Sequence, residues 1–467
     1  MTFTKLLFSV FLNVYLTQVI SYFVSLSIFL CDFTFVFVPS LLHRYGSALN
    51  DAEAAIAADE TFIKGHYRRG AAMMALGRFG DAVGAFRRVL KLKPGDIDGQ
   101  KRLAFCKRAD LEQKFAQAIA TEQTRHASET IDMTSLAAPE TYKGPVIDFA
   151  QPLKKRYPIE TVKAIMEWFK EEKTKQFPRT YIYGILVDFI SIVSKYPSLV
   201  DVDIPEDGKM TVCGDTHGQY YDVLKIFQLN GLPSEENPYL FNGDFVDRGS
   251  FSVEVALTLF LLKLSLPNHV HLTRGNHESI NMNMAYGFKG EVLAKADEKT
   301  FDLFTEAFNW LPIAYCIGKK VLVLHGGLFN DEVTLDDIRK VQRFRQPPES
   351  GIMCDALWSD PGARNGRNPP HRGCGVVFGP DITKKFCEAN GLKLVVRSHE
   401  MKQAGYSEDH NKQCVTVFSA PNYCDQGNNM GAFLIFDDDY DYKAVQFTAA
   451  PHPNIRAMAY ANPMIYS

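Results

Sequence analysis

Between Gly214 and Glu400 the chain carries five short polar clusters. They are Gly214-Asp215-Thr216-His217-Gly218, Gly243-Asp244-Phe245-Val246-Asp247-Arg248-Gly249, Arg274-Gly275-Asn276-His277-Glu278, His325-Gly326-Gly327 and Arg397-Ser398-His399-Glu400. Carboxylate oxygens, an amide oxygen and imidazole nitrogens are the donors from which a two-cation hydrolytic site is built. With no thiolate in the set, it suits Mn, Fe or Zn and does not choose among them. Asp215 and His217 stand two apart, so an extended segment turns both to one side and both can reach one ion. Asp244 follows the next apolar run, and its two carboxylate oxygens can bridge two ions. Singly, each residue has a plainer reading. Asp-x-His is common in loops, a lone His325 or His399 is more often a hydrogen-bonded structural histidine, and Arg372 alone reads as a solvated surface charge. Gly214, Gly243 and Gly275 read as turn formers. Joint occurrence in one order is what points to a metal site.

The same strings resemble one family. GDxHG, GDxVDRG and RGNHE, followed by single downstream histidines, are similar to the metallophosphoesterases. The longer forms GDTHGQYYD, GDFVDRGSFSVE, RGNHES and SAPNYCD resemble the serine/threonine protein phosphatases of the phosphoprotein phosphatase family, from about Tyr45 to the C-terminus. The resemblance implies two divalent or transition metal ions, one held by Asp215, His217 and Asp244, the other by Asp244, Asn276, His325 and His399. It implies that a water activated between them attacks phosphorus directly, without a phosphoenzyme. His277 is then the general acid for the departing oxygen, with Asp247 orienting it. Arg248 and Arg372 are the guanidinium groups on the phosphate, and Tyr423, in Ser419-Ala420-Pro421-Asn422-Tyr423-Cys424-Asp425, overhangs the substrate groove. The implied activity is removal of phosphate from phosphoserine and phosphothreonine in proteins. Two rivals are a metallophosphoesterase acting on nucleotides or diesters, and a repeat-containing adaptor with a weakly active or inactive phosphoesterase domain.

Apolar runs that read as strands precede most of the clusters: Met210 to Cys213, Tyr239 to Phe241, Val270 to Leu272, Val321 to Leu324, Leu392 to Val396 and Cys414 to Phe418. Alternation of strands with helical patterns predicts a layered α/β fold. The family implies a metallophosphoesterase β-sandwich flanked by helices, with the site at strand ends. Val162 to Glu172 and Tyr181 to Tyr196 read as amphipathic helices at its entrance.

Upstream, Ile63 to Asp96 reads as one 34-residue tetratricopeptide unit, with Gly70, Leu76, Gly77, Ala82, Phe86 and Pro94 at its small, aromatic and helix-stopping positions. Tyr45, Gly46, Ala48 and Ala55 match the second half of an earlier repeat, and a further helix is expected near Gln100 to Ala120. The expected organisation is a hydrophobic segment over 1–44, a partial all-α repeat module over 45–120, a linker over 121–157, a catalytic domain over 158–450 and a regulatory tail over 451–467. With about one and a half repeats the module is expected to be truncated and marginally stable alone. By resemblance, such repeats bind the acidic C-terminal peptide of heat-shock protein 90. Lys64 and Arg68, four apart on one helix face, match two clamp positions; their plain reading is a solvated basic face, and chaperone binding is expected to be weak. The resemblance also implies that the repeats and a C-terminal helix around Met458-Ala459-Tyr460-Ala461-Asn462 cover the active site. With early repeat helices unmatched, that cover is expected to be loose, giving higher basal turnover and weaker activation by fatty acids.

The 467 residues carry a net charge of −3 with 22% charged residues, which gives no basic excess and excludes nucleic acid as an expected partner. Nine cysteines are scattered without a CxxC pair, which suits a reducing compartment, cytoplasm and nucleus. The exception is Leu6 to Cys31, an apolar stretch with no charged residue and long enough to span a bilayer. It reads as a membrane anchor, as a signal peptide, as sequence foreign to the native protein, or as a buried soluble helix.

Overall fold

The structure is a computed structural model that describes residues 45–122, 126–370 and 372–462. The apolar stretch 6–31 lies outside the described residues; among these, no helix is long and apolar enough to cross a membrane. The chain divides into two compact units, one ending at Lys114 and one running from Phe115 to Asn462.

The first unit holds α1 (Tyr45–Ala58), α2 (Ile63–Ala75), α3 (Phe79–Leu92) and the start of α4 (Ile97–Glu122). Glycine at position 70 is a matter of space: a Cβ there would lie 2.7 Å from the Phe86 ring, so its absence lets α2 and α3 close on each other. Phe79, Ala82 and Phe86 are fully buried in that seam. Helix α3 stops just before Pro94, which cannot continue it. The Gln113 amide on α4 donates to the Gly77 carbonyl at 2.9 Å, tying the following helix to the turn of the repeat.

The second unit is a four-layer sandwich. Its strands in chain order are β1 (Leu199–Val202), β2 (Met210–Cys213), β3 (Tyr239–Phe241), β4 (Val270–Leu272), β5 (Ala314–Ile317), β6 (Val321–Leu324), β7 (Asp360–Pro361), β8 (Arg367–Asn368), β9 (Val377–Phe378), β10 (Leu394–Arg397), β11 (Tyr406–Asp409), β12 (Cys414–Val417), β13 (Gly431–Phe436) and β14 (Tyr442–Phe447). One sheet runs β1-β5-β6-β10-β12-β11, a second runs β14-β13-β2-β3-β4, and β7-β9-β8 is a small third. The two large sheets bury a common core: Met210, Val212, Leu240, Leu434 and Phe436 from one, Tyr315, Val321, Val323, Val396, Val415 and Val417 from the other. Alternate residues point outward and are buried too. Leu322, Leu324 and Val395 meet a helical layer that includes Met353, Leu357, Ile382 and Phe386, while Phe241, Leu272 and Phe433 meet helices on the other side. Strands covered on both faces read as unbroken apolar runs, which is why they were visible in the sequence.

Residues 126–157, read as part of a linker, are packed onto this body. Ile147, Phe149 and Tyr157 are buried with α5 (Ile159–Lys170) and α6 (Arg179–Val193), and a Cβ on Gly184 would lie 2.0 Å from the Phe149 ring. Ser128 donates its hydroxyl to Glu306 at 2.7 Å. These apolar anchors are spaced irregularly, so they leave no periodicity for a sequence reading to find. The tail differs from expectation as well: residues 451–462 form bends and turns, with no helix.

Candidate metal centre

Strands β2, β3 and β4 run parallel, as do β6, β10 and β12. Each set presents its carboxyl ends to one rim, the place where open α/β sheets bind ligands. Asp215 and His217 follow β2, Asp244 follows β3, Asn276 follows β4, His325 follows β6 and His399 follows β10. A single bridge between Asp215 and Phe418, just beyond β12, stitches the two sheets at this rim. All six expected donors are buried and meet there.

Their separations fall in the range one or two shared ions would close. His217 Nε2 is 3.6 Å from Asp215 Oδ2 and 3.5 Å from Asp244 Oδ2. His325 Nε2 is 3.2 Å from Asp244 Oδ2, 2.9 Å from Asn276 Oδ1 and 3.3 Å from His399 Nδ1. Two groups, His217–Asp244–His277 and Asp244–His325–His399, each bring their ligand atoms within 4.8 Å of one another, with Asp244 common to both. Backbone carbonyls fix the ring tautomers: His217 Nδ1 lies 3.0 Å from the Val246 carbonyl and His325 Nδ1 lies 2.8 Å from that of Asn242. With the Nδ1 proton given to a carbonyl, each Nε2 turns a lone pair toward carboxylate and amide oxygens. Lone pairs facing lone pairs in a buried space are an arrangement that a cation relieves, and the donor set fits two ions on that ground.

The electrostatics agree. Burial pushes the Asp215 carboxyl up to about 7 and Asp244 well above the ordinary carboxylate range. Burial also holds His217 and His399 well below the usual imidazole value, and lowers His325. Without positive charge the centre resists ionisation; cations between the carboxylates reverse that preference.

His277 stands beside this cluster, its ring 4.8 Å from that of His217. Its Nδ1 meets Asp247 Oδ2 at 2.8 Å, and its backbone N–H donates to Asp244 Oδ1 at 2.9 Å. Burial pushes Asp247 up to about 7 and His277 well below its usual value. Ring and carboxyl in contact titrate together, so their protonation belongs to the pair and to neither residue alone.

Arg248 and Arg372 flank the rim. The Arg248 guanidinium lies over the Tyr286 ring at 3.7 Å, and its backbone carbonyl accepts from the Met458 N–H at 2.7 Å, so the tail is docked on this loop. Arg372 Nε donates to Asp360 at 2.8 Å, and its Nη2 reaches the His399 carbonyl at 3.4 Å. The Tyr423 ring is buried 5.1 Å from His217 and 5.2 Å from Phe418, in the wall of the site. Lys64 and Arg68 sit in the first unit on α2, the lysine exposed and the arginine half-buried.

Several residues that hold this geometry were not singled out from the sequence. Glu278 accepts from the backbone N–H groups of Asp244, Phe245 and Gly275, each at 2.8 Å, binding the ends of β3 and β4 together. Arg274 is fully buried and donates to the Glu278 carbonyl at 3.0 Å and to Asn309 at 2.9 Å. Asp360 takes Arg372 on one oxygen and Arg397 on the other, each at 2.8 Å. Glu278, Arg274 and Arg397 lie inside the polar clusters, so the available signal was their position; Asp360 gave none. Backbone strain concentrates here too, with positive φ at His217, Asp244, Asp247, Arg248 and His399.

Family models and relatives agree with this geometry. The calcineurin-like phosphoesterase model matches residues 208–403, the PPP5 TPR repeat region matches 103–201 and the tetratricopeptide repeat matches 63–96. The chain is 50% identical over 424 residues to serine/threonine-protein phosphatase 5 of Homo sapiens, covering 90% of this chain and 84% of that protein. It is 46% identical over 419 residues to serine/threonine-protein phosphatase T of Trypanosoma brucei brucei, covering 89% and 87%. Among solved structures, a protein serine/threonine phosphatase from Saccharomyces cerevisiae superposes with a TM-score of 0.62 at 41% identity, over 64% of this chain and 99% of that one.

Proposed function

This chain belongs to the serine/threonine-protein phosphatase 5 family, and from that premise we propose that it removes phosphate from phosphoserine and phosphothreonine in proteins with the buried donor cluster at its strand ends. It is a hydrolase with a calcineurin-like phosphoesterase domain. The observation that carries the reading is the meeting of six buried oxygen and imidazole donors at one rim. In this reading Asp215, His217 and Asp244 hold one divalent or transition ion, and Asp244, Asn276, His325 and His399 hold the other. Manganese, iron and zinc are the candidates the donor chemistry supports. When bound, such a pair lowers the pKa of water toward neutrality and screens the phosphate charge.

The chain's own groups do the rest. Arg248 and Arg372 present planar guanidinium donors to the phosphate oxygens, and stacking on Tyr286 and the Asp360 contact restrict where those donors point. His277 gives its proton to the departing serine or threonine oxygen, while Asp247 at Nδ1 sets the ring orientation. Tyr423 closes the wall beside His217 and keeps water from that side.

The test is hydrolysis of a phosphoserine peptide by manganese-loaded protein. Asp244→Asn is expected to lower turnover by roughly 1,000-fold or more and to reduce bound manganese, since it weakens both ion sites at once. Protein that leaves the peptide intact while cleaving bis-p-nitrophenyl phosphate would favour the diesterase reading, and protein that retains no transition metal would count against both.

For partners, phosphoproteins are the substrates, and the acidic chaperone peptide is a weak ligand of Lys64 and Arg68. Two ion pairs near the surface are worth at most about 1 kcal/mol each, which supports no better than roughly tens of millimolar affinity. A titration giving micromolar affinity would contradict this. Work in a reducing compartment, cytoplasm or nucleus, is supported by the described cysteines, which form no disulfide.

A further inference from the structure

We propose that Asn283 is a positioning residue for proton delivery: its side-chain amide fixes the Asp247 carboxylate and the His277 backbone together, so that the His277 ring faces the leaving oxygen. This deepens the reading of His277 as the acid and rests on it.

Asn283 is buried on α8 (Ile280–Tyr286) at 1% exposure. Its Nδ2 donates to Asp247 Oδ2 at 3.0 Å and to the His277 carbonyl at 2.6 Å. Both partners are oxygens that accept only, so the amide must present its NH₂ end to them, and its orientation is fixed by chemistry. The other Asp247 oxygen accepts from the Phe288 N–H at 2.9 Å, and Oδ2 also faces His277 Nδ1 at 2.8 Å. One NH₂ group thus spans the acid's backbone and the carboxylate that orients its ring.

What it restrains is a strained loop. Asp247 and Arg248 both have left-handed backbones, with φ of 70° and 69°, and neither is glycine. Take away Asn283 and Asp247 Oδ2 keeps the imidazole as its only side-chain donor, so carboxylate and ring are free to turn together. Packing does not explain the residue. Among the described residues Asn283 Oδ1 is buried with no hydrogen-bond partner. An apolar side chain of that size would avoid the unmet acceptor. The amide is present for what its NH₂ end does.

The experiment compares two esters on manganese-loaded, full-length protein. A phosphoserine peptide has a poor leaving group and depends on an acid; p-nitrophenyl phosphate has a good one and depends on it little. Asn283→Leu and Asn283→Ala are expected to lower kcat on the peptide by about 100-fold and on the aryl ester by less than about 5-fold, with KM and metal content unchanged. His277→Ala should show the same selectivity more strongly. Equal losses on both esters in the Asn283 variants, or no loss, while His277→Ala remains selective, would overturn the inference and leave the acid reading standing. A His277→Ala variant without selectivity would overturn both. Should Asn283→Leu fail to fold, Asn283→Ser carries the same comparison, and uniform loss there counts against the inference.

Discussion

At Gly275 one methyl group decides the site. A Cβ there would lie 2.2 Å from Asp244 Oδ1, 2.4 Å from the Asp244 nitrogen and 2.8 Å from Glu278 Oε2. Gly275→Ala is therefore expected to push the shared carboxylate aside, lowering bound manganese and cutting phosphopeptide turnover by about 100-fold or more; wild-type metal content would refute it. Gly231→Ala is the control: its φ of 80° with ψ of 162° is backbone that glycine favours, but nothing lies within 4 Å, so about 1–3 kcal/mol of stability should go while turnover stays. Gly214 and Gly275 read as turn formers, yet neither has a positive φ. A Cβ at Gly214 would strike the Val417 carbonyl at 2.0 Å, so the reason for glycine lies on a strand far along the chain. The same distance hid Glu278, Asp360 and Asn283. Donor types are legible one residue at a time; the groups that hold donors still are defined by partners no local window contains.

Elements were legible where a buried apolar run led into a polar cluster; β5 and β13 are apolar and largely buried, yet lead into none and were not read. Strands β2, β3, β4, β6, β10 and β12 were of this kind. Strands β11 and β14 lie at sheet edges, partly exposed and partly polar, and neither carries a site residue to draw attention. Helix α7 (Ser252–Ser265) is buried on every face from Ser252 to Leu264, with Lys263 inside it. That lysine donates to the Pro267 carbonyl at 2.5 Å and lies 4.7 Å from the Tyr196 ring. Burial draws its ammonium from the ordinary 10.5 down to about 7. Between these values the unfolded chain holds the proton and the folded chain does not, so stability gains with rising pH by at most about 1.4 kcal/mol per unit. Lys263→Met should melt higher than wild type at pH 7, and the gap should close as pH approaches 10. Calorimetry showing a constant gap would exclude this account.

For the whole molecule, the division into repeats and a layered catalytic body was visible from period and composition. The boundary was not: α4 runs through it, and the segment before Pro158 belongs to the body's core. Asp244 and Asn276 come from one large sheet, His325 and His399 from the other. An ion held by those four joins the two sheets, so binding adds to fold stability by mass action. Metal-stripped protein should melt several degrees below the loaded form, with the gain growing as the logarithm of free manganese, about 2.7 kcal/mol at a hundredfold excess over Kd. Equal melting curves with and without chelator would count against a cation between the sheets.

The bridge from Asp215 to Phe418 also sets an order on synthesis. Asp215 receives the His399 N–H at 3.1 Å and is paired beside β12, both supplied by chain made long after it. A nascent polypeptide halted before Phe418 carries all six donor residues, yet lacks the pairing that ties Asp215 to the other large sheet. The rim that gathers the donors is complete only once that late stretch has been made.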